Sequence, residues 1–263
     1  MSNPTLISSI RTAREKGRPM LAVLIDPGKT DRVGMEALLQ KASSCAVDFF
    51  FVGGSTSRPE EFAETVHLLK ALQNVPVILF PGNELHISSE ADALLLLSLI
   101  SGRNPELLIG KHVSAANSLV RSGLEIIPTG YLLVESGRLT SVAYMSHTLP
   151  VPRDKSDIAV ATALAGQLLG MQLIYLEAGS GAEWPVPAEM IKAVRARLDV
   201  PLIVGGGITT VEQFKTALTA GADLVVVGNA LEKNPAFLSD LSDCLLEHIR
   251  EASRFFGKEQ SRD

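Results

Sequence analysis

Short apolar runs recur along this chain, and almost none alternates with polar residues. They occupy residues 20–25, 48–52, 75–80, 91–97, 124–128, 172–176, 201–204 and 223–227. A strand that is apolar on both faces must be buried on both faces, as in a parallel sheet covered by helices. Helical patterns fill most of the intervals. Residues 34–44 and 58–73 are two of them, the second with Phe62, Val66 and Leu69 on one face. Others span 113–122, 155–169 and 210–220, where Thr210 can cap and Gly221 can stop the helix. A helix capped by Asn3 or Thr5 precedes the first strand, and another closes the chain over 235–255.

Eight strands alternating with helices predict an α/β fold, a closed (βα)8 TIM barrel. The 263 residues match the roughly 250 that such a barrel takes. No low-complexity block or long linker divides them, so residues 1–263 are expected to form one domain. One joint is irregular. Only about ten residues follow Phe80 before the fourth strand, too few for an ordinary crossover helix. The barrel is therefore predicted to be modified, its third helix missing or reduced to a turn. That leaves a gap in the outer ring beside the strand carrying Leu94–Leu97. Further on, V-E-S-G-R-L-T within 131–145 predicts a β-hairpin with a glycine turn.

Composition excludes several functions. A net charge of −5 argues against a dedicated nucleic-acid binder. Cys45 and Cys244 are the only cysteines, which fits a reducing cytoplasm, and no CxxC or paired histidine suggests zinc or iron–sulfur binding. No apolar run reaches the roughly 20 residues of a membrane span, and residues 1–20 lack a signal-peptide core.

In a barrel, the C-terminal ends of all strands share one mouth. The seventh strand runs into Gly205, Gly206 and Gly207, and the eighth into Gly228 and Asn229. Glycines there free N–H groups to face an anion, and barrels often hold phosphate after these two strands. The same glycines also suit plain tight turns. Asp26 after the first strand and Ser55 after the second can share a hard cation such as Mg2+, or can each cap a turn. Glu177 at the end of the sixth strand suits a general base or a salt-bridged rim, with Tyr175 beside it to orient substrate. Lys29 suits a diphosphate contact or solvent. His67, His86, His112, His147 and His248 share no motif and are expected in packing or surface roles.

These pieces, read together, resemble one family. I-D-P-G-K at 25–29, F-V-G-G-S at 51–55, P-V-I-L-F-P-G at 76–82 and S-G-R-N-P at 101–105 stand in order. Y-L-E-A-G-S-G at 175–181, V-G-G-G-I at 204–208 and V-V-V-G-N-A at 225–230 follow. The chain is similar to the geranylgeranylglyceryl phosphate synthases, and its length and the segment 151–155 resemble their larger group. The resemblance implies a barrel without its third helix. It also implies transfer of a geranylgeranyl group from its diphosphate to the sn-3 hydroxyl of sn-glycerol 1-phosphate. Asp26 and Ser55 would hold Mg2+. Tyr175, Leu176, Glu177, Ala178, Gly179, Ser180, Gly181, Gly206, Gly207, Gly228 and Asn229 would hold the glycerophosphate, with Glu177 as base. A homo-oligomer, dimer or hexamer, is implied too. Leu24 stands where some members of the smaller group carry a lysine, so no lysine contact carries over there. Three other readings remain open from the residues. They are the same reaction with another prenyl length, a sugar-phosphate isomerase or lyase, and a non-catalytic phospho-ligand binder.

Overall fold

The structure is a computed structural model that describes residues 4–29, 32–54 and 57–259, with side chains described as far as residue 253. Helix α1 (Leu6–Glu15) leads into β1 (Met20–Ile25), α2 (Arg32–Ala42), β2 (Phe49–Val52), α3 (Pro59–Leu72), β3 (Val77–Leu79) and β4 (Ala93–Leu99). A π-helical turn (Glu106–Gly110) opens α4 (Lys111–Ser122), followed by β5 (Glu125–Leu133), α5 (Ser141–Ser146), α6 (Ser156–Leu168) and β6 (Leu173–Glu177). Then come α7 (Ala188–Arg195), β7 (Leu202–Gly205), α8 (Val211–Thr219), β8 (Leu224–Val227), α9 (Asn229–Lys233) and α10 (Phe237–Glu259). The strands pair in sequence order, all parallel, and β8 closes on β1 to complete the barrel.

The unbroken apolar runs are explained by two cores. Met20, Ala22, Phe49, Phe51, Tyr175 and Ile203 fill the barrel interior. Their chain neighbours Leu21, Val23, Phe50, Val52, Ile174 and Val204 face the helices. Each fully buried side chain of this size contributes about 1.5–3 kcal/mol. Helix α1 plugs the N-terminal end with Ile7 and Ile10. Its first N–H groups are capped by Glu125, which accepts from Leu6 at 2.6 Å and Ile7 at 2.9 Å. That negative charge also suits a helix N-terminus. Thr5 accepts from the Ser8 N–H, while Asn3 lies outside the described residues. At α8 the expected cap forms, with Thr210 Oγ1 accepting from Gln213 N and Gln213 Oε1 accepting from Thr210 N.

Between β3 and β4 there is no helix, as the short joint requires. A loop covers part of the gap, pinned by the fully buried His86. Its Nδ1 accepts from Gly82 N at 3.2 Å, and its Nε2 lies 2.9 Å from the Ser57 carbonyl. The ring stacks on Phe62. His86 is therefore a packing histidine, as expected. Leu96 is only half-buried, because its outward face on β4 has no helix over it.

The hairpin expected over 131–145 does not form. Instead β5 continues to Leu133, and residues 141–146 form α5. The reason lies in the sheet. Tyr131 is registered with Leu99 on one side and with Tyr175 on the other, and Leu133 with Glu177. Both hydrogen-bonding edges of β5 are used, so no edge remains for an antiparallel partner. Only a single parallel bridge, Val134 with Val151, extends the pairing.

Candidate active site

Strand parity sets the site. Tyr175 faces the interior on β6, so Glu177 two residues later faces the mouth. Leu24 faces inward on β1, and Asp26 follows at the same parity. Asp26 and Glu177 are both buried and line one cavity of about 720 Å3, within the usual range for a small-molecule site. The glycines at 179, 181, 206, 207 and 228 line it as well, with Ser180 and Asn229. The expected convergence of loops from the first strand to the last is present.

Glu177 Oε1 accepts from the Gly179 N–H at 2.6 Å. Burial pushes its pKa up to about 7, opposed by the Gly179 N–H and by the nearby Tyr175 hydroxyl. That hydroxyl lies beside the carboxyl but falls short of a hydrogen bond and has no partner. Burial, reinforced by the Glu177 charge, raises both Tyr175 and Tyr131 well above the ordinary tyrosine range. Both phenols stay protonated. With Phe80 they form a ring cluster, centroids 5.5–5.9 Å apart, that walls the carboxyl from bulk water. A carboxyl poised near neutral pH in a water-poor pocket is suited to take a proton.

The glycines are required by what surrounds them. Gly206 has φ +82°, and a Cβ there would collide with Glu177 Oε1. A Cβ at Gly205 would collide with the Tyr175 hydroxyl, and one at Gly54 with Asp26 Oδ1. Gly179, Gly181 and Gly207 also hold positive φ, at +98°, +74° and +71°.

Asp26 Oδ1 accepts from Gly28 N at 3.1 Å and from the Ser57 hydroxyl at 3.2 Å. Its Oδ2 lies 2.8 Å from Lys29 Nζ. Lys29 also donates to Ser180 Oγ at 2.8 Å, and Ser180 donates to Asn229 Oδ1 at 3.1 Å. Lys29, though exposed, thus joins the β1, β6 and β8 ends. Ser55 lies outside the described residues. Among the described residues no three His, Cys, Asp or Glu side chains gather to form a metal cage. One carboxylate facing a cavity is nonetheless the sparse oxygen set that Mg2+ accepts when phosphate and water complete its shell.

The other end of the cavity is apolar. Leu94 and Leu96 of β4 form its floor, and Ile87, Leu107, Ala115 and Leu119 its walls. The cavity therefore runs from Glu177 over the rim and into the gap left by the absent helix. His112 anchors this flank through Nε2, 2.9 Å from the Leu97 carbonyl. Two polar residues of the site, one holding Asp26 from outside the cavity and one in the cavity lining, went unrecognised in the sequence. Ser57 was masked by its neighbour Ser55. Arg138, which lines the cavity, sat at the tip of the expected hairpin. Its one signal was a position just past a long inward-facing apolar strand.

Residues 11–251 match the model of the PcrB family. The chain belongs to that family. Among its relatives is the geranylgeranylglyceryl phosphate synthase of Spirosoma linguale, 53% identical over 238 residues, covering 90% of this chain and 96% of the relative. The PcrB relative of the same description from Chitinophaga pinensis is 45% identical over 240 residues, covering 91% and 95%. A crystal structure of (S)-3-O-geranylgeranylglyceryl phosphate synthase from Thermoplasma acidophilum superposes with a TM-score of 0.87 at 33% identity, covering 93% of this chain and all of that one. That structure holds sn-glycerol 1-phosphate. The eight-stranded barrel is thus the PcrB fold.

Proposed function

We propose that this chain is a prenyltransferase. It joins the geranylgeranyl group of geranylgeranyl diphosphate to the sn-3 hydroxyl of sn-glycerol 1-phosphate. One observation carries the proposal: a buried carboxyl with a pKa near 7 stands where a glycine-lined polar pocket meets a long apolar cavity. A phosphate-bearing alcohol suits the first part and a prenyl chain the second. The Thermoplasma acidophilum relative, which binds the glycerophosphate, supports the same assignment. A sugar-phosphate isomerase has no use for the apolar arm.

The chemistry follows from the groups present. A glycerol hydroxyl is a weak nucleophile. Its oxygen attacks the allylic carbon while that carbon's bond to the diphosphate oxygen breaks, and the hydroxyl proton passes to Glu177. Diphosphate carries the electron pair away. The Tyr175 hydroxyl, protonated and without a partner, is free to orient the substrate. The backbone N–H groups of 180–181 and 206–207, with Asn229, hold the phosphate, which lowers the entropic barrier to attack. Asp26, together with Ser55, would hold Mg2+, which when bound neutralises the diphosphate as it leaves. The apolar arm keeps the prenyl chain out of water.

The test is direct. Purified protein with Mg2+, sn-glycerol 1-phosphate and prenyl diphosphates of several lengths should yield ether product. The sn-3 phosphate enantiomer should be much poorer. Absence of product with every chain length overturns the proposal.

A further inference from the structure

Lys29, Lys111 and Lys233 line the mouth; Lys29 is engaged with Asp26 at 2.8 Å and Lys111 with Glu84 at 3.4 Å, while Lys233 acts on the neighbouring Glu232 carboxyl. Arg138 lines the same mouth and makes no ion pair or hydrogen bond among the described residues. Its guanidinium lies close to Gly181. A Cβ built on Gly181 would lie 3.7 Å from Arg138 Nη2 and 3.9 Å from Asn229 Nδ2. An arginine fork, an amide and the Gly181 backbone thus surround a space about one small group wide.

The loop that carries Arg138 is fixed. The Ser136 carbonyl accepts from Glu183 N at 3.1 Å and Trp184 N at 3.2 Å. Gly137 holds φ +84°, and a Cβ there would lie 2.8 Å from the Trp184 ring. Arg153 donates to the Glu135 and Pro185 carbonyls at 3.1 and 3.0 Å and lies over the Trp184 ring at 5.2 Å. The β5 loop and the glycine loop after β6 are therefore stitched together, with an unpaired arginine held above the junction. Little backbone ordering entropy is left to lose when a ligand arrives, and the remaining cost is that of the arginine side chain. Guanidinium is also the side chain best shaped for bidentate contact with a phosphate.

We propose that Arg138 closes the phosphate subsite built by Gly179–Gly181 and Asn229, and that it grips the phosphate of the glycerophosphate rather than the diphosphate. This rests on the prenyltransferase reading above. Its two facing neighbours both belong to the glycine pocket, while Asp26, the cation position, is tied to Lys29.

Arg138→Gln and Arg138→Lys test it. The side chain is exposed, so both variants should fold and melt like the parent. Arg138→Gln should raise KM for sn-glycerol 1-phosphate roughly 10- to 100-fold, the effect of losing a charge-assisted contact. KM for prenyl diphosphate should not change, and kcat should stay within about threefold. Arg138→Lys should recover part of the loss. Calorimetric titration of inorganic phosphate, without any prenyl diphosphate, should show weaker binding to Arg138→Gln than to the parent. Unchanged KM and unchanged phosphate binding would overturn the assignment. So would a rise confined to the KM for prenyl diphosphate. If the parent binds phosphate in an Arg138-dependent way but transfers no prenyl group, the enzymatic proposal fails and the subsite stands.

Discussion

Glu177 is the residue on whose environment the proposed chemistry depends most. A carboxyl with its pKa at about 7 is ionised in only part of the population at neutral pH, so the proposed reaction should slow as pH falls below 7. The same shift affects stability. The folded state holds the Glu177 proton more tightly than the unfolded chain does, so its contribution is present below about pH 4.5 and is lost as pH rises through 7. Glu177→Gln keeps an oxygen to accept from Gly179 and removes the buried charge. It should abolish turnover, and above pH 7 it should stabilise the protein by up to about 3 kcal/mol. Melting curves of both proteins from pH 4 to pH 8 check this; the gain should shrink toward acid. Asp26 and Glu177 were legible in the sequence because each follows an apolar strand at inward parity. Arg138 was not, since its reach depends on a loop stitched to another 45 residues away along the chain, from Arg138 to Glu183.

At the scale of elements, the strands were the most readable part. A run that is apolar on both faces has few alternatives, and the boundaries found differ from those expected by only a residue or two in most cases. The exception is β5. Pro128 and Gly130 look like terminators, yet the strand continues through both to Leu133. Gly130 is needed there because a Cβ would press on Ile174, Met171 and Ile100 at 2.8–2.9 Å. A false hairpin follows from the same stretch, because local sequence does not reveal that both sheet edges are taken. The missing helix, by contrast, was visible in a count of residues, since a chain too short for a crossover helix cannot form one. It exposes the outward-facing Leu96 to the apolar arm of the cavity. Leu96→Trp should fill that arm and shift preference toward shorter prenyl diphosphates, with kcat/KM for the longest falling at least tenfold. Product analysis across chain lengths checks it, and an unchanged profile would place the prenyl chain elsewhere.

At the scale of the whole molecule, exposed apolar residues are spread over loops such as that of Leu149 and over several helices, two of which lie side by side in the ring. Val113 and Val120 of α4 are 68% and 83% exposed, and Leu168 and Leu169 at the end of α6 are 85% and 77% exposed. A chain of this kind is expected to self-associate through such faces, and light scattering of the wild-type protein should give a mass of at least two chains. Charge at Val120 and Leu168 should reduce it if these faces form the contact. No described helix is long and apolar enough to cross a membrane. The gap in the helical ring has a consequence for how such an enzyme diversifies. Because the apolar arm leaves through the flank of the barrel rather than along its axis, the parts that measure a tail and the parts that make the bond sit on different walls. Substitutions on β4 and α4 can retune what is accepted while the rim that holds Glu177 is left untouched, so selectivity and reactivity are free to drift apart.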